Sequence, residues 1–480
     1  MTDDQPTPSR GPDHSPIVVV QHGRDRPVAR AVELVRRVTT PPRTVGIGGV
    51  ALGFGILILI GTALLSLPLA LAPDAQWNVL NAFFTATSAV CVVGLVVVDT
   101  GTHWSTFGHA VILGLIQLGG LGVMIASMFI LVLLRRPISF RDRFEISEVS
   151  RAGGIRSVAG FIWATVLLTV LFELLGAAAL WYRLGGSQGD KEAVWRGVFY
   201  SLSAFNNAGF DLAPASVGMA AYTRDPVFLM LIALLVIFGG LGALVLMDLV
   251  TKRSWKGLSH HSRLVLVASG GLLALGFVGI LATEFANPAT LGGMGLSDKL
   301  VNALFHSVTS RTAGFDSLHV SGFKDETQFL LMALMYIGGA TGSTAGGIKV
   351  TTVAVLVLAT VAAVQGYEHA SGFGARFSHR LVYRALSVAV LALLVIFIAT
   401  LLLTITEVFL FRQVLFEVVS AFATVGLTTG ITPDLSVVGQ ATIIVVMYLG
   451  RLGPLTLAYA LAQRAQEPSY ILPERDIGIG

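Results

Sequence analysis

Charge is what this chain of 480 residues has least of. Asp, Glu, Lys and Arg make up 12% of it, about half of the roughly 25% found in soluble domains. So few charges cannot coat a soluble surface of this size, which excludes a soluble enzyme or nucleic-acid binder. Cysteine is almost absent too. A single Cys91 permits neither an internal disulfide nor a thiolate metal cluster, which excludes a disulfide-built secreted scaffold. The ten histidines show no metal-site spacing, and the adjacent pair His260 and His261 stands among Lys252, Arg253, Lys256 and Arg263. There is no Gly-rich nucleotide fingerprint and no soluble domain. No His or Asp in a membrane segment pairs with Ser343, so no catalytic constellation is present and no organic cofactor is expected.

Apolar residues fill the space. They reach 54% of the chain, and runs at 45–72, 107–134, 158–181 and 385–411 each hold the ~20 residues needed to cross a bilayer. The chain reads as an all-α polytopic membrane protein. Its net charge of +4 then reflects cytoplasmic loops rather than a nucleic-acid partner.

Four segments share one form: an apolar run, a short half-apolar stretch, a glycine loop, and a second apolar run. The short stretches end at Gly94, Gly209, Gly314 and Gly426, a period of about 110 residues that suits a whole membrane module. Six residues before each glycine stand Ser88, Ser203, Val308 and Ser420. A second anchor lies in the following run: QLGGLG from Gln117, FGGLG from Phe238, IGGATG from Ile337 and LGRLGP from Leu449. It aligns Gly120, Gly240 and Gly339 with Arg451.

Each short stretch is too brief to span and lies between spanning runs, so it must re-enter. Non-helical backbone at membrane depth survives only where it is buried or lines a watery cavity. The expected fold is four helix–pore-loop–helix units around one pore, with eight spanning helices and four re-entrant half-helices. The units fall at 45–135, 155–250, 262–366 and 380–465. A polar, largely disordered tail (1–44) precedes them and a short tail (466–480) follows. Of the 32 Lys and Arg, 22 fall in the tails and inter-unit loops and eight on the re-entrant side. That bias puts both termini in the cytoplasm.

Four glycine loops around one axis are how a carbonyl selectivity filter is built. The filter candidates are Val92, Val93 and Gly94; Asn207, Ala208 and Gly209; Thr312, Ala313 and Gly314; and Thr424, Val425 and Gly426. Asp99, Asp211 and Asp316 follow the loops and either concentrate cations or cap turns. The stretch 338–349, GGATGSTAGGIK, carries Gly338, Gly339, Gly342, Gly346 and Gly347 around Ser343 and Thr344, and ends at Lys349. Five glycines cannot hold a helix, so the third unit's last helix must break beside the pore. Arg451, a charge at membrane depth, marks a functional site and reads as an electrostatic gate. Its partner is either a carboxylate or the carbonyls of the glycine-rich stretch. Glu173, Glu284 and Glu407 are the carboxylates in apolar runs, placed near the outer face.

These motifs resemble the Trk/Ktr/HKT superfamily of potassium transporters, and within it the KtrB type of membrane subunit. The resemblance is carried by FTATSAV from Phe84, SAFNNAGFDL from Ser203, SRTAGFDSL from Ser310, GGATGSTAGGIKV from Gly338, and SAFATVGLTTGITP from Ser420 with YLGRLGPLTLA from Tyr448. It implies K⁺ as the transported ion, bound at filter backbone carbonyls, and a gating loop at 338–349. It also implies a homodimer in the cell membrane, seated on a cytosolic nucleotide-binding regulatory subunit of the KtrA/TrkA type. The basic stretch 135–156 is a candidate docking surface or an ordinary orientation signal. The first loop departs from the pattern. Cys91 and Val93 stand where KtrB-like loops usually have threonines, so side-chain hydroxyls are lost there and Na⁺ permeability stays open. The competing readings are an ion-coupled secondary transporter and a less selective K⁺/Na⁺ pathway.

Overall fold

The computed structural model describes residues 47–134, 158–185, 191–213 and 218–453. The expected tails 1–44 and 466–480 and the basic stretch 135–156 lie outside the described residues.

The described chain runs helix after helix. The first group is α1 (Ile47–Leu65), α2 (Val79–Cys91) and α3 (Thr106–Leu134). The second is α4 (Val158–Arg183), α5 (Lys191–Phe205) and α6 (Pro226–Lys252). The third is α7 (His260–Glu284), α8 (Leu296–Thr309), α9 (Asp325–Tyr336) and α10 (Val350–Val364). The fourth is α11 (His379–Thr406), α12 (Phe411–Ala423) and α13 (Val437–Leu452). A two-residue hairpin, Ser371–Gly372 with Ala375–Arg376, joins the third group to the fourth.

Five stretches are long and apolar enough to cross a membrane: Thr106–Ile125, Gly160–Arg183, Pro226–Lys252, His260–Glu284 and His379–Thr406. The shorter apolar helices include Gly49–Leu65, Val350–Val364 and Val437–Leu452. Of the eight spanning helices expected, one of them broken, five are long and apolar enough among the described residues. The third group's last run is split between α9 and α10 at its glycines, so neither piece is long enough alone.

The second helix of each group is short: 13, 15, 14 and 13 residues for α2, α5, α8 and α12. At 1.5 Å per residue each is about 20 Å long, well under the ~30 Å hydrocarbon core. Asn78 caps the start of α2 by accepting from the Leu80 amide at 2.9 Å. At their far ends α2 and α12 stop in the left-handed region, at Val92 and Thr424.

Packing follows a cycle. Each short helix lies against the long helix before it: α2 on α1, α5 on α4, α8 on α7, α12 on α11. Each also touches the helix that follows the short one in the preceding group: α5 on α3, α8 on α6, α12 on α9, and α2 on α13. The final contact joins the end of the chain to its beginning. The buried core is largely made by these short helices, with Phe84, Phe199, Phe305 and Phe416 all essentially unexposed. Leu167, Leu174, Leu393 and Phe397 on α4 and α11 are exposed, as a face toward lipid requires.

Candidate functional site

The four loops after the short helices repeat one backbone shape. Val92, Asn207, Thr312 and Thr424 have φ of 55°, 59°, 78° and 54°, and two residues on Gly94, Gly209, Gly314 and Gly426 have φ of 92°, 69°, 78° and 95°. Positive φ is costly for β-branched residues such as Val92, Thr312 and Thr424. Three such residues at one register show that tertiary structure imposes the conformation.

The loop amides turn back onto the helix ends. Val93, Ala208 and Val425 donate to the carbonyls of Ser88, Ser203 and Ser420 at 2.8, 2.7 and 2.9 Å, and Ala313 donates to Thr309 O at 3.0 Å. The Gly94 and Gly426 amides reach Ser88 Oγ and Ser420 Oγ, each at 3.1 Å. The third unit has Val308 instead of serine, and its Gly314 amide uses Thr309 O at 3.3 Å. With the amides used inward, the carbonyls are left over. Among the described residues, those of Val93, Ala208, Ala313 and Val425 accept no hydrogen bond.

The loops meet one another. A Cβ built on Gly94 would lie 3.1 Å from the Cα of Gly209, one on Gly209 3.1 Å from Gly314, one on Gly314 3.1 Å from Gly426, and one on Gly426 3.1 Å from Gly94. Each would also run into the carbonyl oxygen preceding the next glycine: Ala208, Ala313, Val425 and Val93 in turn. The structure thus brings all four groups of candidate residues into one closed ring, and only glycine fits at its four contact points.

The second sequence anchor explains how the flanking helices come so close. Gly119, Gly239 and Gly450 pack on the carbonyls of Val90, Phe205 and Phe422, at distances a side chain would block. Three of the four runs break shortly after this anchor, the exception being α3. Gly242 (φ 78°, ψ 157°) interrupts α6, Gly342 (φ 80°) lies in the gap between α9 and α10, and Gly453 (φ 79°) ends α13. Only the break in the third group, at the glycines around Gly342, was expected from sequence. The signal for the others was the glycine aligned across the anchor.

Residues 337–349 form a closed loop. Gly338 N donates to Ile348 O at 2.8 Å and Val350 N to Gly339 O at 3.0 Å, which makes a neck. The loop presses on the helix ends of the ring. Gly346 abuts the Thr424 side chain and Gly347 the Ala423 backbone, while Thr344 Oγ1 reaches Phe205 O at 3.4 Å. Gly242 of α6 packs on Gly342 and Ser343, and Ala340 N donates to Gly240 O at 3.0 Å. Ser343 Oγ is turned back onto Ala340 O at 2.7 Å.

Arg451 is buried on α13, and its guanidinium bridges two groups. Nη1 donates to Thr344 O and Nη2 to Gly119 O at 2.9 Å. Carbonyls, not carboxylates, are its partners among the described residues. Lys349 Nζ donates to Ala345 O. The three glutamates sit elsewhere. Glu173 accepts from Gln117 and Asn206 at 3.1 and 2.9 Å. Glu284 accepts from Thr290 Oγ1 at 2.6 Å and the Lys324 amide at 3.0 Å. Glu407 accepts from the Ser436 amide at 3.2 Å.

Sequence reasoning missed Glu417. It is fully buried on α12 and accepts from Thr428 at 3.0 Å and from Thr432, bracing the loop after Gly426. In the other units, Asp99 caps the turn at Gly101 (2.8 Å) and Asp211 accepts from Tyr200 (2.7 Å) and Ala213 N (2.7 Å). Asp316 lies 3.9 Å from His319, with a third of its side chain exposed. Burial, then the charge of Asp211, pushes the Asp316 carboxyl up to about 7.

The chain as a whole has counterparts among known proteins. The family model TrkH, described as a cation transport protein, matches residues 55–470. The chain belongs to the TrkH family. Its relatives include Ktr system potassium uptake protein B of Bacillus subtilis (strain 168), 39% identical over 427 residues, covering 89% of this chain and 94% of that protein. Potassium/sodium uptake protein NtpJ of Enterococcus hirae is 36% identical over 437 residues, covering 90% and 96%. Among solved structures, the potassium transporter TrkH from Vibrio parahaemolyticus superposes with a TM-score of 0.71 at 20% identity, over 88% of this chain and 86% of that one. At that identity the likeness establishes a shared TrkH-like fold.

Proposed function

We propose that this chain is the ion-translocating subunit of a Ktr/Trk-type potassium uptake system in the cell membrane, with both termini in the cytoplasm. The reading rests on the ring in which Gly94, Gly209, Gly314 and Gly426 each meet the next. Carbonyls without donors, held in a fixed ring, replace the water lost by a dehydrating cation. The four short helices aim their C-terminal ends at that ring, and the dipole end of a helix favours positive charge. K⁺ is the cargo, bound by the backbone at 92–94, 207–209, 312–314 and 424–426.

Beneath the ring, the loop at 338–349 is the gate, with Arg451 its latch. The guanidinium holds Thr344 O against the neighbouring α3 carbonyl of Gly119. It keeps a positive charge beside the path, which opposes free cation leak. Opening requires the loop to leave Arg451. The chain acts as a homodimer seated on a cytosolic nucleotide-binding regulatory subunit of the KtrA/TrkA type.

A second reading, a shared K⁺/Na⁺ pathway, has one observation in its favour. The first loop offers Cys91 and Val93 in place of hydroxyl side chains, and a relative of comparable similarity carries potassium/sodium uptake in its name.

The test is ⁸⁶Rb⁺ accumulation in proteoliposomes under an outward K⁺ gradient, with K⁺, Na⁺ and choline as competitors. The reading expects block by K⁺ and not by choline, and loss of flux or selectivity in Gly426→Ser. Equal competition by Na⁺ selects the shared pathway. Transport of a solute larger than a bare ion selects a secondary transporter. A silent wild type together with a silent Arg451→Ala rejects the gated pore.

A further inference from the structure

The position three residues before each ring glycine is occupied by Cys91, Asn206, Arg311 and Ala423. One unit of four therefore places a full charge directly behind the filter loop. By chain position Arg311 belongs with the outer, re-entrant side. The structure instead buries it to 8% exposure and turns its guanidinium away from the loop's exit.

Arg311 joins three elements. Its Nη1 donates to Ser269 O on α7 at 3.2 Å, and its Nη2 lies 3.2 Å from Gly338 O and 3.4 Å from Ser269 Oγ. It directly precedes Thr312 in the chain, the strained first residue of the third filter loop (φ 78°). Gly338 is the neck of the gating loop, where the two strands meet through Gly338 N and Ile348 O. Among the described residues no carboxylate lies within ion-pair distance of Arg311, and its Nε has no partner. A buried guanidinium left without a counterion is expensive. Keeping it there on three neutral oxygens calls for a role that a leucine could not fill.

We propose that Arg311 is a positioning residue that ties the third filter loop to the neck of the gating loop. This rests on the filter-and-gate reading above. Arg451 holds the tip of the loop through Thr344 O, and Arg311 holds its neck through Gly338 O. The two latches differ in where they are rooted. Arg451 sits on α13, whereas Arg311 is part of the filter backbone itself. Movement of the neck therefore pulls on Thr312, and the state of the gate is felt by the ring. A planar fork is needed for this, because two nitrogens must reach oxygens on two separate elements at once.

The experiment compares Arg311→Gln, Arg311→Lys and Arg451→Ala in the full-length protein in liposomes without a regulatory subunit. It reads basal ⁸⁶Rb⁺ flux, the K⁺-over-Na⁺ preference, and the thermal midpoint in detergent as a check on folding. Arg451→Ala is expected to raise basal flux about tenfold, the weight of one charge-assisted hydrogen bond, at unchanged selectivity. Arg311→Gln is expected to raise basal flux similarly and also to lower the K⁺ preference. Arg311→Lys should behave like Arg311→Gln, because a point charge cannot span Ser269 and Gly338. If Arg311→Gln does not fold, Arg311→Lys carries the test by the same readouts. A leaky Arg451→Ala beside unchanged Arg311 variants overturns the tie and leaves the gate standing. A lysine variant with wild-type flux and selectivity overturns it as well, since charge alone then suffices. If Arg451→Ala leaves the flux unchanged, the gate reading falls and the proposal falls with it.

Discussion

A Cβ on Gly426 would stand 3.1 Å from the Cα of Gly94 and collide with the carbonyl of Val93. The last loop of the chain thus closes on the first, and the ring has no slack at that joint. Both glycines have φ above 90°, where any other L-residue is strained by roughly 1–2 kcal/mol before the collision is counted.

Gly94→Ala and Gly426→Ala should each abolish selective Rb⁺ uptake, whereas substitution at Gly114, which has open space around a Cβ, should be silent. The three variants are compared at equal protein density in liposomes. An alanine at position 94 or 426 with wild-type uptake and K⁺ competition would remove the ring from the mechanism.

Ser88 and Ser420 hold the ring by accepting from the Gly94 and Gly426 amides. Ser203 occupies the same register but donates to Phe210 O at 2.9 Å, beyond the ring. Ser88→Ala and Ser420→Ala each forfeit one net hydrogen bond, about 0.5–1.5 kcal/mol. The K⁺-over-Na⁺ preference should fall by a few-fold in each, and by more in the double variant. Ser203→Ala should change the preference less than either. Competition curves with Na⁺ decide it, and equal effects in all three would show that the serines merely pack.

The four glycines that meet in the ring stood out in the sequence because they repeat in one register, and only glycine meets the steric demand at each. Arg451 was legible as an outlier among Gly120, Gly240 and Gly339. What was not legible depends on contacts between distant segments. Gln117, Glu173 and Asn206 form one hydrogen-bonded network across 89 residues of sequence, and no local pattern around any of the three announces it. Glu417 resembles any polar residue in a half-apolar helix until Thr428 and Thr432 fold back onto it. Arg311 was assigned by loop position, but a long side chain can leave the depth of its own Cα. The break at Gly242 was hidden because the apolar run continues for ten residues beyond it, to Lys252, as an unbroken helix would.

The outer mouth should be pH-sensitive. The Asp316 carboxyl is pushed up to about 7, first by burial and then by the charge of Asp211. It carries less negative charge as the pH falls through that value, so cation influx should decline between about pH 8 and 6, most visibly at low K⁺ and low ionic strength. Stability runs the other way. The folded pKa exceeds that of the free carboxyl, so this group's contribution is greatest at low pH and is lost as the pH rises from about 4 to 7. Asp316→Asn should flatten the influx profile. A profile unchanged by that substitution would assign the titration to another group, with Asp211 the neighbour to examine.

Two glycines of the gating loop separate fit from strain. Gly346 abuts the Thr424 side chain, so a methyl group there must displace either the loop or the fourth filter segment. Gly342 has φ of 80° but ordinary room, with Leu244 at 3.6 Å as its nearest neighbour. Alanine at 342 meets backbone strain alone, roughly 1–2 kcal/mol, and the loop can absorb it without leaving Arg451. Gly346→Ala should therefore raise basal Rb⁺ flux and weaken K⁺ preference together, because the gate and Thr424 cannot both stay in place. Gly342→Ala should lower the thermal midpoint while keeping selectivity near wild type. The decisive comparison is flux against selectivity for the two variants at matched stability. If both variants leak at unchanged selectivity, the loop is only a plug. If Gly346→Ala alone loses selectivity, its seat against Thr424 is part of the filter.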